Sequence, residues 1–255
     1  MEKEMRTFVM GDIHGAHRAL VQCLKRSNFD YEKDVLIQLG DVADGHRYVY
    51  ECVEELLKIR NLIAIKGNHD IWLLEFIEND FHPVYWTYGG KGTILSYLEH
   101  KKEGKKICLA SGSGYKTSLS STDIPAAHQA FFRNQQLFHV TEDNRCFIHA
   151  GFDRTVAFDR QQETAYYWNR ELWEEAVGLK ENGNSSSVLE MATPFREVYI
   201  GHTPTTNWRT DQPMNAFNIT NMDTGAGHLN GRLTIMDIDT QEYWQSDRIC
   251  DLESI

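Results

Sequence analysis

Acidic, amide and imidazole side chains recur in this sequence directly after short apolar segments, each time with a glycine close by. Acids at the end of a buried strand are costly unless a cation meets them. Carboxylate, amide and imidazole groups together form a mixed oxygen and nitrogen ligand set that suits Mn, Fe or Zn. We therefore predict a metal site at these positions. The candidate ligands are Asp12, His14, Asp41, Asn68, His149 and His202.

The number of candidate ligands indicates two ions rather than one. Six ligands are too many for a single catalytic ion that must keep open positions, whereas they suit two ions about 3.5–4 Å apart that share one carboxylate. Asp41 lies in the middle of the three N-terminal loops and is best placed to bridge. No cysteine belongs to the set, so a structural zinc site is not expected. Asp12 and Asp41 offset only part of the charge of two divalent ions, and the remainder would attract hydroxide and a phosphate dianion.

The elements that must position these residues follow from the hydrophobic pattern. Apolar segments at 7–10, 35–39 and 62–65 each run into a polar loop and then into a helical pattern. Strand, loop and helix repeated three times is typical of βαβ units and a parallel sheet. Ligand sites in such sheets lie at the carboxyl ends of the strands. All three N-terminal loops with candidate ligands fall there.

The second half of the sequence is richer in strands. Apolar runs end at His149, His202 and Asp223, residues 232–246 predict a β-hairpin that turns near 239–240, and residues 160–177 predict one helix. A βαβ half joined to a strand-rich half favours an α/β fold of two packed mixed sheets flanked by helices. Since no linker-like change in composition interrupts the chain, we predict a single domain over residues 1–255.

Composition excludes several classes of function. The sequence has 26 Lys and Arg against 37 Asp and Glu, a formal net charge of −11, which disfavours binding to nucleic acid. No apolar run reaches the length of a membrane span, and the N-terminal residues lack the apolar core of a signal peptide. Five scattered cysteines indicate reduced thiols in a cytoplasmic protein. Neither nucleic acid nor membrane is expected as a partner, and the oligomeric state stays open.

The motifs themselves resemble those of a known family. "GDIHG", "GDVAD", "GNHD", "HAG" and "GHT" are similar to the metal motifs of the phosphoprotein phosphatase family, within the calcineurin-like metallophosphoesterases. The bacterial branch typified by the phage lambda serine/threonine phosphatase is most similar, because "QQ" at 161–162, "WNRE" at 168–171 and "DTGA" at 223–226 are also shared. The resemblance extends from residue 11 to residue 226 and implies the metallophosphoesterase fold.

The resemblance also implies how the metal ligands are divided. In the family, two ions are held by overlapping sets that share one aspartate. The corresponding sets here are Asp12, His14 and Asp41, and Asp41, Asn68, His149 and His202. The ions are expected to be divalent transition metals, manganese first and iron or zinc as alternatives, and a hydroxide that bridges them is expected to attack phosphorus in line.

Three further residues receive catalytic roles from the resemblance. His69 would be the general acid that protonates the leaving oxygen, and Asp44 would orient it. Arg170 would bind the phosphate oxygens with its planar guanidinium group. The expected activity is phosphomonoester hydrolysis of the serine/threonine phosphatase type.

The sequence departs from the family at Gly45. The family pattern G-D-x-x-D-R-G places there an arginine that grips the phosphate, whereas here glycine and then His46 follow Asp44, and arginine comes only at Arg47. Arg47 either swings back to the site or points to solvent. The missing arginine also suggests room beside Gly45 for a bulkier substrate.

Several functions are compatible with these motifs. The first is a phosphatase that acts on a phosphorylated protein or a small phosphate ester. The second is a hydrolase of nucleotides or dinucleoside polyphosphates, similar to symmetrical diadenosine tetraphosphatases. A metal-binding module without catalysis is disfavoured because it has no use for a general acid, and the acidic net charge disfavours a DNA nuclease.

Overall fold

The first third of the chain alternates strands and helices as the hydrophobic pattern predicts. The computed structural model describes residues 5–112, 114–184 and 186–252. Strands β1, β2 and β3 pair in parallel, with Val9 opposite Ile37 and Ile37 opposite Ile63. The elements are β1 (Thr7–Met10), α1 (His17–Arg26), β2 (Val35–Gln38), α2 (Val49–Leu56), β3 (Asn61–Ala64) and α3 (Asn68–Asn79).

The middle of the chain is mainly helical and packs on the helices of the first third. A 3₁₀ turn spans Val84–Thr87, and a two-stranded antiparallel sheet precedes the last helix of this region. The regular elements are α4 (Gly90–His100), β4 (Cys108–Ser111), β5 (Gly114–Thr117) and α5 (Ala126–Asn134).

The second half builds another sheet and then returns to the first. Its elements are β6 (Phe138–Val140), β7 (Arg145–Ile148), α6 (Ala165–Trp168), α7 (Glu171–Glu181), β8 (Glu197–Ile200), β9 (Met214–Ala216), β10 (Ile219–Asn221), β11 (Thr234–Asp237), β12 (Tyr243–Gln245) and α8 (Ile249–Leu252). The first sheet has the order β12-β11-β1-β2-β3 and the second β6-β7-β8-β10-β9. Strand β11 lies antiparallel to β1, and the predicted hairpin over 232–246 is confirmed as β11 and β12.

The prediction of a single helix over residues 160–177 is wrong. The chain forms the short helix α6, breaks at Asn169 and Arg170, and begins α7 at Glu171. The side-chain Oδ1 of Asn169 accepts the backbone N–H of Leu172 at 3.0 Å, which satisfies one of the free N–H groups in the first turn of the new helix. An asparagine that competes with the backbone for hydrogen bonds favours such a break. The break has a functional consequence, because it turns Arg170 out of the helix and toward the site.

The two sheets face each other across a shared apolar interior. Val9 and Ile37 of the first sheet belong to one buried cluster with Phe147 and Tyr199 of the second, and the last two rings stack at 4.9 Å. Helices cover the outer face of each sheet through separate buried clusters. The predicted α/β fold with two packed mixed sheets flanked by helices is confirmed. Within the described ranges, no helix has both the length and the apolar character needed to cross a membrane.

Candidate metal and phosphate site

The predicted ligands converge where the two sheets meet. They follow the carboxyl ends of β1, β2, β3, β7 and β8, so the packing of the sheets brings together loops that are far apart in sequence. His14 is partly buried and the other five are buried. The buried five are Asp12, Asp41, Asn68, His149 and His202.

Asp41 is shared by two groups of potential metal-binding atoms. The first group contains His14, Asp41 and His69, and the second contains Asp41, His149 and His202. Within each group the ligand atoms all lie within 4.8 Å of one another. Oδ2 of Asp41 is 3.6 Å from Nε2 of His14 and 3.5 Å from Nε2 of His149. One carboxylate between two clusters of nitrogen donors is the arrangement that a bridging ligand needs.

The histidines are oriented and protonated as metal ligands require. Nδ1 of His149 lies 2.7 Å from the carbonyl oxygen of Leu39, and Nδ1 of His14 lies 3.2 Å from that of Ala43. Each ring thus donates its Nδ1–H to the backbone and keeps Nε2 free on the side of Asp41. Burial lowers the pKa of His149 to about 3, so the ring is neutral, which is the metal-binding form.

His202 supplies the sharpest indication that these residues bind a cation. Its Nε2 is buried and finds no hydrogen-bond partner among the described residues. Burial, reinforced by the neighbouring His149 and Arg170, holds the pKa of His202 well below its usual value. A buried imidazole nitrogen that finds no hydrogen-bond partner among the described residues costs free energy unless a ligand or an ion satisfies it. The residues present therefore fit a divalent metal.

Asp12 and Asn68 are the remaining predicted ligands, and both are buried among the others. Oδ1 of Asn68 lies 3.2 Å from Nε2 of His149. The carboxylate of Asp12 accepts the backbone N–H of His202 at 3.0 Å and belongs to neither of the two groups around Asp41. Burial and then the charges of Asp223 and Asp41 raise the pKa of Asp12 well above its usual value. Acids that repel one another in a buried place create a strong preference for a cation.

Asp223 is a site residue to which the sequence analysis assigned no role. It follows β10, is buried, and lines the cavity above the ligands, where burial raises its pKa to about 6. The signal was present in the sequence, since "DTGA" follows an apolar strand in the same way as the other motifs.

His69 and Asp44 form the pair that the resemblance implies. Nδ1 of His69 lies 2.8 Å from Oδ2 of Asp44, which is fully buried. The other oxygen of Asp44 accepts Nε1–H of Trp86 at 3.0 Å and the hydroxyl of Thr93 at 2.6 Å. Burial alone would lower the pKa of His69, but Asp41 and Asp44 outweigh it and raise that pKa to about 9. The contact with Asp44 thus favours the protonated form of His69, which is the form that a general acid needs.

Arg170 borders a cavity of about 360 Å³ over the predicted ligands. Its Nη1 donates to the hydroxyl of Thr203 at 3.0 Å and to the carbonyl oxygen of His202 at 3.2 Å. These contacts hold the guanidinium group at the rim of the cavity. No described residue accepts a hydrogen bond from its other donors, which could therefore bind an anion.

The backbone of the site adopts conformations that most residues avoid. His14, Asp41, Asp44 and His202 have positive φ angles of 50°, 53°, 68° and 65°. Left-handed backbone at residues other than glycine costs about 1–3 kcal/mol each and is concentrated at functional sites. The sequence gives no sign of this, since none of the four is glycine.

Two glycines are required by close approach rather than by their φ angles. A Cβ atom at Gly67 would lie 2.1 Å from Oδ1 of Asp41, and one at Gly201 would lie 2.1 Å from Oδ1 of Asp12. The glycines of "GNHD" and "GHT" thus leave room for the carboxylates of neighbouring loops.

Asp70 links two of the loops and was also not assigned. Its fully buried carboxylate accepts the backbone N–H groups of Val42 and Ala43 at 2.9 and 3.0 Å and that of Gly67 at 3.2 Å. It also accepts the side-chain amide of Gln135 at 2.8 Å. Asp70 therefore fixes the loop that holds Asp41 against the loop that holds His69.

The structure clarifies the departure at Gly45. Gly45 lines the cavity and has a φ of 77°, and its N–H donates to the carbonyl oxygen of Gly89 at 3.1 Å. A Cβ at this position would lie 2.9 Å from Cβ of His14. Arg47 points away, because its half-exposed side chain pairs with Glu99 at 3.0 Å. Of the two placements expected for Arg47, the geometry matches the one that faces solvent.

The fold and this set of side chains are those of a phosphoesterase with residues that could bind metal, and comparison with known proteins identifies the family. The model of the calcineurin-like phosphoesterase family matches residues 5–208. The chain belongs to this family.

Individual relatives divide between two kinds of enzyme. Serine/threonine-protein phosphatase 1 of Salmonella typhimurium is 26% identical over 102 residues, which cover 40% of this chain and 47% of that protein. A symmetrical bis(5'-nucleosyl)-tetraphosphatase of Coxiella burnetii is 32% identical over 103 residues, 37% of this chain and 35% of that protein. The matched segments thus span less than half the length of these curated relatives.

A solved structure confirms the fold over a much larger part of the chain. A crystal structure provisionally assigned as a diadenosine tetraphosphatase superposes with a TM-score of 0.63 over 96% of this chain and 94% of its own, at 17% identity. At this identity the similarity concerns the fold.

Proposed function

We propose that this protein is a dimetal-dependent phosphomonoester hydrolase that uses the chemistry of serine/threonine phosphatases. One observation carries the proposal. Asp41 lies between two clusters of nitrogen donors, and Nε2 of His69, whose Nδ1 pairs with Asp44 at 2.8 Å, is 4.0 Å from the Asp41 carboxylate. A site that only bound metal would need no acid–base pair next to its open side. The match to the calcineurin-like phosphoesterase family supports the same assignment.

The proposed metal ligands are the six predicted residues. We assign one ion to Asp12, His14 and Asp41, and the second to Asp41, Asn68, His149 and His202. Manganese is the proposed metal, because the mixed oxygen and nitrogen donors without cysteine suit it, and iron and zinc are alternatives for the same donors. When bound, the ions supply Lewis acidity to the phosphoryl oxygens and activate water for the attack on phosphorus.

The chain's own residues then bind the ester and move a proton. Arg170 binds two phosphate oxygens from the rim and orients the ester for in-line attack. His69 donates its Nε2 proton to the leaving oxygen, so that the leaving group departs as an alcohol. Asp44 holds Nδ1–H of the same ring, which fixes the tautomer and keeps the ring aimed at the cavity. Catalytic roles are therefore proposed for His69, Asp44 and Arg170.

The substrate class rests on the charge of the cavity. Arg170 is the one side chain with a permanent positive charge among the described residues that line it, and two acids, Asp41 and Asp223, line it too. Two metal ions and one arginine match a single phosphate group. A phosphomonoester is therefore the proposed substrate. The alternative substrate is a dinucleoside polyphosphate, as the name of the Coxiella relative suggests. The additional phosphate groups of such a substrate would lie beside Asp223 with no cation to balance their charge.

The test begins with metal-free protein. Titration with Mn²⁺ by calorimetry should reveal two sites per chain, and activity should return only after metal is added. The loaded enzyme should then be assayed on a phosphopeptide panel, diadenosine tetraphosphate, and aryl phosphate mono- and diesters. Binding of one ion in the active form would refute the dinuclear assignment. Preference for diadenosine tetraphosphate over every monoester would refute the substrate class.

We further propose that the chain forms one domain. The apolar cluster between the sheets draws residues from both halves of the sequence, and β11 returns from the C-terminal part to pair with β1. Limited proteolysis should therefore yield no stable fragment that contains only one sheet.

A further inference from the structure

A second cavity, of about 370 Å³, opens directly beside the metal and phosphate site. It shares four residues with the first cavity, Asn68, His69, Tyr88 and Arg170. Apart from Asn68, His69 and Arg170, its described lining is aromatic. These rings, called the aromatic wall below, are Trp72, Tyr85, Tyr88 and Trp168.

The aromatic wall contacts one proposed catalytic residue, His69, and one proposed metal ligand, His202. The ring of Trp72 packs edge-on against His69, with centroids 4.3 Å apart, and Trp168 packs edge-on against His202 at 5.7 Å. Trp72 also lies 5.9 Å from Tyr85, nearly parallel to it, and 5.8 Å from Trp168. The rings therefore form a continuous surface that begins at the proposed proton donor.

Most of this surface is open to a ligand. Trp72 is buried, whereas Trp168 is 41% exposed, Tyr85 58% and Tyr88 68%. Such large apolar rings are usually covered, and an exposed group of them beside a polar site is characteristic of a ligand-binding surface. Trp86, in the same segment as Tyr85 and Tyr88, is fully buried, so the segment does turn rings inward where packing requires it.

The position of the aromatic wall assigns it to one part of the substrate. His69 is the proposed donor to the leaving oxygen, so the leaving group lies on the His69 side of the phosphate. Trp72 packs on that same ring. A group bonded to the leaving oxygen therefore meets the wall at once, before any long connector. This favours a ring joined through the ester oxygen over a nucleobase, which a ribose separates from its phosphate.

We propose that the aromatic wall is a leaving-group subsite that selects aryl phosphates of the phosphotyrosine type. The inference rests on the proposed phosphomonoesterase function and names its substrate class. Hydrolysis breaks the bond between phosphorus and the phenolic oxygen, water supplies the new oxygen on phosphorus, and the proton from His69 goes to the phenolate. The products are a phenol and inorganic phosphate. Stacking and edge-on contacts with the wall hold the ring throughout.

The first test measures binding, so it does not depend on turnover. Phenylphosphonate and methylphosphonate carry the same anion and cannot be hydrolysed at an ester bond. With Mn²⁺-loaded protein, phenylphosphonate should bind more tightly. Tyr85→Ala and Trp168→Ala should each weaken its binding by about 2- to 10-fold, the usual size of an aromatic pair contact. Neither substitution should change methylphosphonate binding.

Matched control variants distinguish the loss of a ring contact from a general loss of structure. Tyr243→Ala removes a partly exposed tyrosine on β12 and should leave both affinities unchanged. Tyr85→Phe keeps the ring and should restore the phenylphosphonate affinity that Tyr85→Ala loses. Thermal unfolding of each variant shows whether it is folded. Equal losses for the two phosphonates, or no loss for either, would overturn the proposal.

The second test compares substrates. For peptides of one sequence that carry either phosphotyrosine or phosphoserine, the ratio of kcat/KM should fall by about 2- to 10-fold in Trp168→Ala. The intrinsic difference between the two leaving groups cancels, because it is the same in both enzymes. If adenosine 5'-monophosphate, and not phenylphosphonate, loses affinity in the alanine variants, a nucleobase is the occupant and the proposal is wrong. Absence of hydrolysis by every form would refute the proposed function and leave the binding result interpretable.

Discussion

Replacement of His69 by asparagine should separate proton donation from every other step of the reaction. His69 lies 2.8 Å from Asp44 through Nδ1, and its Nε2 lies 4.0 Å from Oδ2 of Asp41. Asparagine keeps a polar side chain at the rim but has no acidic proton. The metal ligands and Arg170 are unchanged. The loss of kcat/KM in His69→Asn should therefore depend on how much the leaving group needs a proton.

The magnitude follows from the leaving group. General acid catalysis contributes about 10²–10⁴-fold to departure of a poor leaving group such as the serine alkoxide. This corresponds to about 2.7–5.5 kcal/mol of transition-state stabilisation. p-Nitrophenolate departs without a proton, so His69→Asn should lower kcat/KM for p-nitrophenyl phosphate by much less. Asp44→Asn should act in the same direction and more weakly, by about 10- to 150-fold on phosphoserine, since it removes one hydrogen bond to a charged group.

The assay compares kcat/KM for a phosphoserine peptide and for p-nitrophenyl phosphate at saturating Mn²⁺. His100 provides a matched control, because its Nε2 also pairs with a carboxylate, Glu51 at 3.0 Å, away from the site. His100→Asn should leave both substrates unaffected. Similar losses on the two substrates in His69→Asn would show that His69 is not the acid and that it serves as a ligand or a positioning group.

Three further outcomes are expected. Asp41→Asn should weaken both Mn²⁺ sites in calorimetry and remove most of the activity, and a variant with full activity would contradict a shared ligand. Arg170→Ala should lower kcat/KM by about 10- to 150-fold, because a charge-assisted contact contributes about 1.5–3 kcal/mol. Arg47→Ala should change kcat/KM little. A larger loss in Arg47→Ala than in Arg170→Ala would show that Arg47, not Arg170, binds the phosphate. Burial alone would raise the pKa of Asp34, but hydrogen bonds from Arg6 and the backbone lower it. The contribution of Asp34 to folding stability is therefore fully present above the ordinary aspartate pKa of about 3.9. It is lost as pH falls through the pKa that Asp34 has in the folded protein. In Asp34→Asn the free energy of unfolding should be lower by about 1.5–3 kcal/mol at neutral pH, and the difference from the natural protein should narrow in acid.

The sequence determined the fold and most of the side chains that meet in the candidate site. Short apolar segments followed by polar loops and helices dictate parallel pairing, because burial requires the apolar strands to be covered on both faces. The carboxyl ends of such strands gather at one edge, so Asp12, Asp41 and Asn68 had to lie near one another, whereas His149 and His202 reach them from the second sheet. Even the placement of Arg47 in solvent agrees with its local position at the start of α2.

Other features depended on contacts between distant segments. The break at Asn169 was invisible to periodicity, because a single side-chain hydrogen bond decides between one helix and two. The role of Asp70 became clear only when the β2 and β3 loops came within hydrogen-bond distance of its carboxylate.

The aromatic wall shows most clearly what the tertiary structure alone decided. Trp72 and Tyr85 come from neighbouring segments, but Trp168 is about ninety residues further along the chain in α6. In the sequence each ring is compatible with an ordinary core position. Whether an aromatic ring is buried or exposed depends on how much surface the packed elements leave uncovered. Only the packing of the two halves could place these rings beside His69 and leave three of them open.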